Sequence, residues 1–384
     1  MKRDFETIIL GAGASGLMCA AFLPRKRDVL IIDSNPRIAR KLSISGGGRC
    51  NFSNRKLDPS NYFADENFTA RVLERFGIED LLEWLRHWGL EYEIRKNGQY
   101  FCAKSAEDMV SILRDATKEA HFMLATTVVS VSREHDIFEI HTDKGVFRSK
   151  KVVVATGSPA WPSLGSSSIG VEIAESFGHK CTRFVPALTG FTLQPEQFFF
   201  KELSGVSVDV VIELERKRIE GALLFAHRGI SGPAVLNASL WWRKGEISID
   251  FAPGFEWGPL RRSSKNLATL MPLPRRVAVA FLKDLGIENG PARHISRAEL
   301  AKLETLNRYR FSPAGRFGFV RAEVARGGVL TDGIDPDTMM SCIVDNLFFT
   351  GEAMDVTGEV GGYNIHWAFG SAYVCAQAVG RDGR

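Results

Sequence analysis

Six residues near the start of the chain, Gly11-Ala12-Gly13-Ala14-Ser15-Gly16, have the G-x-G-x-x-G spacing that lets backbone amides face a pyrophosphate. Gly11 permits a tight turn, Gly13 the close approach of a phosphate, and Gly16 the close packing of a helix on a strand. Such a loop acts only if a strand delivers it and a helix leaves it, because the first amides of the helix carry the partial positive charge. Both are legible. Thr7-Ile8-Ile9-Leu10 predicts a buried strand, residues 17–23 have helical composition, and Val29-Leu30-Ile31-Ile32 predicts a second buried strand. Asp33 ends that strand, 17 positions after Gly16, where a carboxylate can bond a ribose diol. The competing reading is an ordinary βαβ unit that binds nothing. Strand, glycine loop, helix, strand and acid in this order favour a dinucleotide, without choosing between FAD and NAD.

A second glycine cluster follows. After a turn at Ser34-Asn35-Pro36 and a predicted short helix carrying Arg37, Arg40 and Lys41 comes Ser45-Gly46-Gly47-Gly48-Arg49-Cys50-Asn51. Three consecutive glycines permit positive φ and let backbone lie against something flat or charged. Arg49 is placed to bond a phosphate or a flavin carbonyl; the alternative is a flexible surface loop. No second G-x-G-x-x-G occurs, so one dinucleotide is held and any second substrate must come to it directly. The strand ends at Ala155-Thr156-Gly157 and at Phe349-Thr350-Gly351-Glu352 are features of two-dinucleotide-fold FAD proteins. In those proteins the returning C-terminal segment puts an acid on the ribityl chain and a helix N-terminus near the isoalloxazine C2 carbonyl, where its dipole favours the anionic reduced flavin. Gly361-Gly362-Tyr363-Asn364 opens such a helix, predicted to run to about Val379. The cofactor is therefore expected to be FAD.

Between these stretches the pattern predicts a helix over 68–90, strands over 91–101 around a turn at Asn97-Gly98, and a helix opened by a capping box at Ser105. Strands at 127–131, 137–142 and 145–148 suggest a small meander, followed by a buried strand at 151–156 and a helix over 167–177. From about Gly190 the character turns to β, with strands at 206–214, 223–225 and 246–251, then helices over 274–285 and 296–308.

With 384 residues, 45% hydrophobic and 24% charged, the chain has ordinary globular composition and length for two or three domains. Residues 190–330 carry 21 Lys and Arg against 14 Asp and Glu, so the net charge of +4 hides a basic middle and a slightly acidic remainder. A solvated surface is the safer reading of that excess; an anionic substrate or nucleic acid is the sharper one. Six scattered cysteines show no metal-ligand spacing and argue for reduced thiols in a cytoplasm. The early core strand argues against a cleaved leader, and no apolar run approaches the ~18–20 residues of a membrane span. The expectation is a soluble, cytoplasmic protein without a metal.

Taken together, the glycine loop, Ser45 to Asn51, Ala155-Thr156-Gly157, His227-Arg228-Gly229-Ile230-Ser231-Gly232-Pro233 and Gly351-Glu352 through Gly361-Gly362-Tyr363-Asn364 resemble the BaiN/YhiN-like flavoproteins, which include enzymes described as aminoacetone oxidases. The resemblance spans nearly the whole chain in order. It implies an α/β fold: a discontinuous Rossmann-like FAD-binding domain (1–189 and 331–384) with an inserted β-rich substrate domain (190–330) whose helical part is about 256–310. It implies a cofactor set comprising Gly11, Ala12, Gly13, Ala14, Ser15, Gly16, Asp33, Ser34, Arg40, Lys41, Ser45, Gly46, Gly47, Gly48, Arg49, Cys50, Asn51, Val129, Ala155, Thr156, Gly157, Gly351, Glu352, Gly361, Gly362, Tyr363 and Asn364.

Three positions depart from the family pattern. Asp33 stands where Glu is usual, Ala325-Arg326 replaces Val-Thr, and His366 replaces a frequent Gln. A His366 near the flavin would titrate close to neutrality and make turnover pH-sensitive. His227 reads either as a substrate-side acid or base or as an ordinary bonded loop histidine, and Tyr363 as a substrate contact or a cap on the ring pocket. Cys50, without a partner cysteine in sequence, reads as packing rather than as a redox thiol. Trp241-Trp242 and Phe198-Phe199-Phe200 read as core or interface. The function expected is hydride transfer between flavin N5 and a small organic substrate, as an amine-type oxidase or an NAD(P)H-dependent reductase. The rivals are an RNA-modifying flavoprotein and a non-catalytic flavin-binding redox sensor. No membrane partner is expected, nucleic acid is disfavoured, and a homo-oligomer is left open.

Overall fold

The computed structural model describes residues 3–24, 26–215 and 217–381. The chain divides into two compact units, one formed by residues up to Val185 and from Val324 onward, the other by Pro186–Glu323.

The first unit is built on a sheet with seven strands among the described residues. His121–Met123, Val29–Ile32, Asp4–Leu10 and Gly145–Val154 run parallel in that spatial order. Val29–Ile32, residues 8–10 and residues 152–154 are buried on both faces, which is why these parts of the strands read as continuous hydrophobic runs rather than alternating ones. Gly145–Val154 is a single ten-residue strand where the sequence suggested two. Its first half pairs antiparallel with Ile137–Thr142, which pairs in turn with Val128–Glu134. Its second half pairs in parallel with Leu347–Phe349, in the register Val153 with Phe348. The predicted meander is thus one flank of the parallel sheet.

The helix expected over 68–90 is two, Glu66–Arg75 and Ile78–His87. The break lies at Gly77, whose N–H donates to Asp80 Oδ2 at 2.8 Å, so Asp80 caps a new helix start. Asn97 and Gly98 both have positive φ, +60° and +75°, and turn Tyr92–Ile94 back onto Gln99–Cys102. Asn51–Asn54 joins them as a third strand. The helix Ala106–Ala116 carries the capping box at Ser105.

The insert was expected over 190–330, and the second compact unit comprises Pro186–Glu323. The strand Val324–Val329, assigned to the insert from sequence, pairs with Cys181–Ala187, and a Cβ at Gly327 would stand 2.5 Å from Arg183 O. The Leu330 N–H donates to Lys180 O at 3.0 Å and the Asp355 N–H to Val329 O at 2.8 Å, which ties this segment to the first unit.

The second unit is an antiparallel sheet, again of seven strands among the described residues, in which Ser207–Leu214 and Lys217–Ala226 form the central hairpin. The helix Pro233–Trp241 buries Ala234, Val235 and Ala238 in a core that also holds Phe191, Phe200, Phe225, Phe251, Phe281 and Phe311. The helical part comprises Leu267–Leu270, Arg275–Asp284 and Arg297–Glu304, joined by short 3-10 turns. Among the described residues no helix is long and apolar enough to cross a membrane.

Candidate cofactor site

Parallel strands end on the same edge, and four of them end here in the residues singled out by sequence. Backbone bonds join these ends side by side. The Gly11 N–H donates to Ile32 O (2.7 Å), Asp33 N–H to Met123 O (3.1 Å), Ala155 N–H to Leu10 O (2.9 Å) and Thr350 N–H to Val154 O (3.0 Å). The glycine loop, Asp33, Ala155-Thr156-Gly157 and Gly351-Glu352 therefore share the carboxyl edge of the sheet, where open α/β sheets bind ligands.

Each loop glycine has its reason in the geometry. Gly11 has φ +112°, and a Cβ on it would lie 2.3 Å from Ala155 O; a Cβ on Gly16 would lie 1.9 Å from Gly11 O. Gly13 is different: a Cβ there would meet nothing within 4 Å, so its bareness leaves room in front of the helix Ala14–Phe22. No side chain caps that helix, and its first amides stay available to an anion. Ser15 Oγ donates to Thr350 Oγ1 at 2.6 Å and fastens the helix start to the late strand.

Asp33 does more than the sequence suggested. Its Oδ2 accepts the Ala12 N–H at 2.7 Å, and its Oδ1 accepts both the Asn35 N–H (2.7 Å) and Asn35 Nδ2 (3.0 Å). The shorter acid braces the loop itself, and with two lone pairs per oxygen Oδ2 retains one for a ribose hydroxyl. Asn35 in turn accepts from Arg40 Nη1 at 2.8 Å. Ser34 is near the same turn, donating to Gly165 O at 3.4 Å. Lys41 reaches Glu352, with Nζ 2.8 and 3.0 Å from its two oxygens, and Ser158 Oγ donates to the same carboxylate at 2.9 Å. Sequence reading missed Ser158 and Asn35; the Asn-Pro and Ser-Pro pairs flanking these strand ends were the only signal.

Gly46, Gly47 and Gly48 have φ of +56°, +67° and +82°, a left-handed turn that other residues rarely make. Cys50 follows at φ +47°. It is fully buried, and Cys102, 52 positions on, is its partner: the hydrogen bond between them and then burial push the Cys50 thiol well up. Cys102 is a neighbour that sequence spacing could not reveal. Arg49 is half-exposed and pairs with Glu93 at 3.2 Å. Asn51 Nδ2 donates to Gln99 Oε1 at 2.9 Å, yet among the described residues its buried Oδ1 has no partner, and neither does the buried Thr156 Oγ1. Val129 lies at the irregular pairing of Val128–Glu134 with its side chain 61% exposed, so only its backbone is suited to a cofactor.

The C-terminal helix Tyr363–Val379 starts against the second glycine segment. A Cβ on Gly362 would lie 2.4 Å from Ser53 O, and Asn54 Nδ2 donates to Gly361 O at 3.1 Å. Asn364 closes a ring with Gly358, accepting its N–H and donating to its carbonyl, each at 2.8 Å. Tyr363 is buried beside Tyr62, which donates to Tyr363 O at 3.1 Å; burial and then the nearby Glu359 push the Tyr363 hydroxyl up to about 12, so it stays a proton donor.

His366 contradicts the expectation of a neutral-range titrating group. It is fully buried, and Nε2 bonds the Phe76 carbonyl at 3.1 Å. A carbonyl only accepts, so Nε2 carries the proton and Nδ1 accepts from the Ser53 hydroxyl at 2.9 Å. Burial lowers its pKa to about 4, and the ring is a neutral strut between three segments. His227 belongs to the other unit, in the turn after Lys217–Ala226, with Arg228 5.5 Å from the Phe317 ring centroid.

A space in front of Gly13, an uncapped helix start and two orphaned buried polar atoms fit a polar dinucleotide. A parallel sheet with a glycine loop on its carboxyl edge and a returning C-terminal helix defines an FAD-dependent oxidoreductase fold. The family model described as "HI0933-like protein Rossmann domain" matches residues 5–378, and the chain belongs to that family, the BaiN/YhiN type. Over its full length it is 35% identical to a ribosomal RNA dihydrouridine synthase of Haemophilus influenzae, covering all of both chains. It is 36% identical to the Escherichia coli protein of that name, covering 98% of each. It is 29% identical to the 3-dehydro-bile acid delta(4,6)-reductase of Clostridium scindens, over 97% of this chain and 98% of that one. Among solved structures, a Rhodococcus jostii 3-ketosteroid-delta4-(5alpha)-dehydrogenase superposes over 99% of this chain and 97% of its own with TM-score 0.50 and 10% identity, a likeness of fold.

Proposed function

We propose that the protein is an FAD-dependent reductase of a carbon–carbon double bond conjugated to a carbonyl, and that its substrate is a uracil base in ribosomal RNA. The observation that carries this reading is the pair of full-length relatives named for dihydrouridine synthesis in ribosomal RNA. The bile-acid relative supports the chemistry: its name also describes reduction of a C=C in conjugation with a 3-oxo group. In uracil the bond is C5=C6, conjugated to C4=O. We prefer a base in RNA to the small organic substrate expected from sequence, and the basic insert supports that preference.

When bound, FAD supplies a hydride at N5 for the β-carbon of such a bond, here C6, with a proton completing C5. The chain supplies the rest. Gly11, Gly13 and the first amides of Ala14–Phe22 would receive the pyrophosphate, Asp33 a ribose hydroxyl, and Glu352, oriented by Lys41 and Ser158, the ribityl chain. The start of Tyr363–Val379 offers partial positive charge to a developing anion. The Tyr363 hydroxyl, held protonated, is the candidate donor to the α-carbon. An NAD(P)H-class donor would return the electrons.

Nucleoside mass spectrometry tests the reading. Unmodified ribosomal RNA transcript, the FAD-loaded protein and NADPH or NADH under anaerobic conditions should yield dihydrouridine, two mass units above uridine. Reduction of a 3-oxo-Δ4,6 steroid acid with no change in the RNA would replace the RNA by a small enone.

A further inference from the structure

In the insert, the helix Arg275–Asp284 buries Val277, Ala278, Phe281 and Leu282, with Phe281 packed on Phe199 and Phe200 of the preceding turn Pro195–Leu203. Its opposite face presents Arg275, Arg276, Val279 and Lys283 along a groove of about 610 Å³, closed on the other side by Glu202 and Leu203. Beside it on the Pro195–Leu203 segment Phe198 is 46% exposed, and Lys201 Nζ lies 3.5 Å from the centre of its ring. Four cations and an exposed ring thus lie along two adjoining segments that are far apart in sequence.

Among the described residues none of these four cations is paired with an acid. Among the described residues Lys201, Arg275 and Lys283 form no ion pair, whereas Arg218 pairs with Glu213 and Glu220, and Arg310 with Glu246, elsewhere in the same unit. Arg276 donates one N–H to the Glu202 carbonyl, which fixes its guanidinium and leaves other donors free. Exposed Val279 offers an apolar floor between the charges. Pro186–Glu323 as a whole carries 20 Lys and Arg against 14 Asp and Glu. An anion-binding groove of separated cations with an adjacent aromatic face is the chemistry of a nucleic-acid backbone with an unstacked base.

We infer that this groove holds the phosphodiester backbone of the substrate RNA, with Phe198 as a stacking platform. The inference rests on the RNA reading above and names the surface that reading requires. The test is fluorescence anisotropy of a labelled, unmodified ribosomal RNA transcript titrated with the FAD-loaded full chain over a range of salt. The variant carries Lys201→Gln, Arg275→Gln and Lys283→Gln, all exposed side chains. It should bind at least about tenfold more weakly at near-physiological salt, with the slope of log affinity against log salt reduced by about 2. Its flavin content and melting temperature should match the parent. Phe198→Ala should weaken binding with the salt slope kept.

Equal affinity and slope in the triple variant, while the parent still forms dihydrouridine, would overturn the groove and leave the RNA reading intact. A parent chain that neither binds the transcript nor modifies it would overturn both. Displacement of the RNA by poly-L-glutamate at equal charge concentration would assign the groove to an acidic protein and overturn the inference.

Discussion

The two units put their chemistry in different parts of the chain. In the first, the candidate site is largely backbone: four strand ends, a left-handed glycine turn and two uncapped helix starts, with few side chains reaching in. In the insert the backbone makes an ordinary antiparallel sheet around a phenylalanine core, and what distinguishes it is the side chains left on its surface. A site made of backbone constrains residue type severely, because only glycine fits where a Cβ would strike a carbonyl. A site made of surface cations constrains only charge, and many residues satisfy it.

That contrast can be broken most forcefully at Gly16. Gly16→Ala drives a Cβ to 1.9 Å from a backbone oxygen that cannot swing away, and should cost about 3 kcal/mol or more and abolish flavin retention, read by thermal melting and visible absorbance. Phe200→Ala in the insert should cost about 3–5 kcal/mol through the cavity it leaves, with flavin per folded chain unchanged. Loss of flavin there would mean that the two roles are not divided as argued.

His366 gives the next effect. Its folded pKa of about 4 lies below the ordinary 6.5, so the unfolded state takes up the proton first as pH falls. The stability it contributes is complete above about 6.5 and is lost down to about 4, roughly 3 kcal/mol in all. His366→Gln should flatten denaturation midpoints across that window while the pH–rate profile near neutrality stays as in the parent. The smallest and most selective change is Gly13→Ala. Its Cβ meets nothing, so stability without cofactor should hold within about 0.5 kcal/mol while flavin affinity falls about tenfold by titration.

The same division explains what the sequence disclosed. Gly11, Gly16 and the three glycines at 46–48 were legible because steric need fixes their type, and the strands around them because Ile8, Ile9 and Leu10 and the whole of Val29–Ile32 are buried and apolar. The second loop of the Asp33 carboxylate, back to Ala12 and Asn35, was not, since either acid could have turned outward. The Cys50–Cys102 and His366–Ser53–Phe76 contacts join residues 52 to 313 positions apart, and local pattern carries no information about them. His366 was misread for that reason: its titration depends on burial and on a carbonyl that only the fold brings near. The basic groove, too, joins residues about 75 positions apart, so local pattern disclosed only a basic excess over residues 190–330 and not where its charges gather.

The proposed function has a flavin held by the first unit reduce a carbonyl-conjugated double bond in ribosomal RNA. The most direct measurement is a single turnover: reduce the bound flavin anaerobically, remove excess reductant, add unmodified ribosomal RNA transcript, and follow the visible absorbance of the flavin. Oxidised flavin should return in step with one dihydrouridine per flavin. Flavin that stays reduced in the presence of the RNA, and regains its colour only when air is admitted, would contradict it.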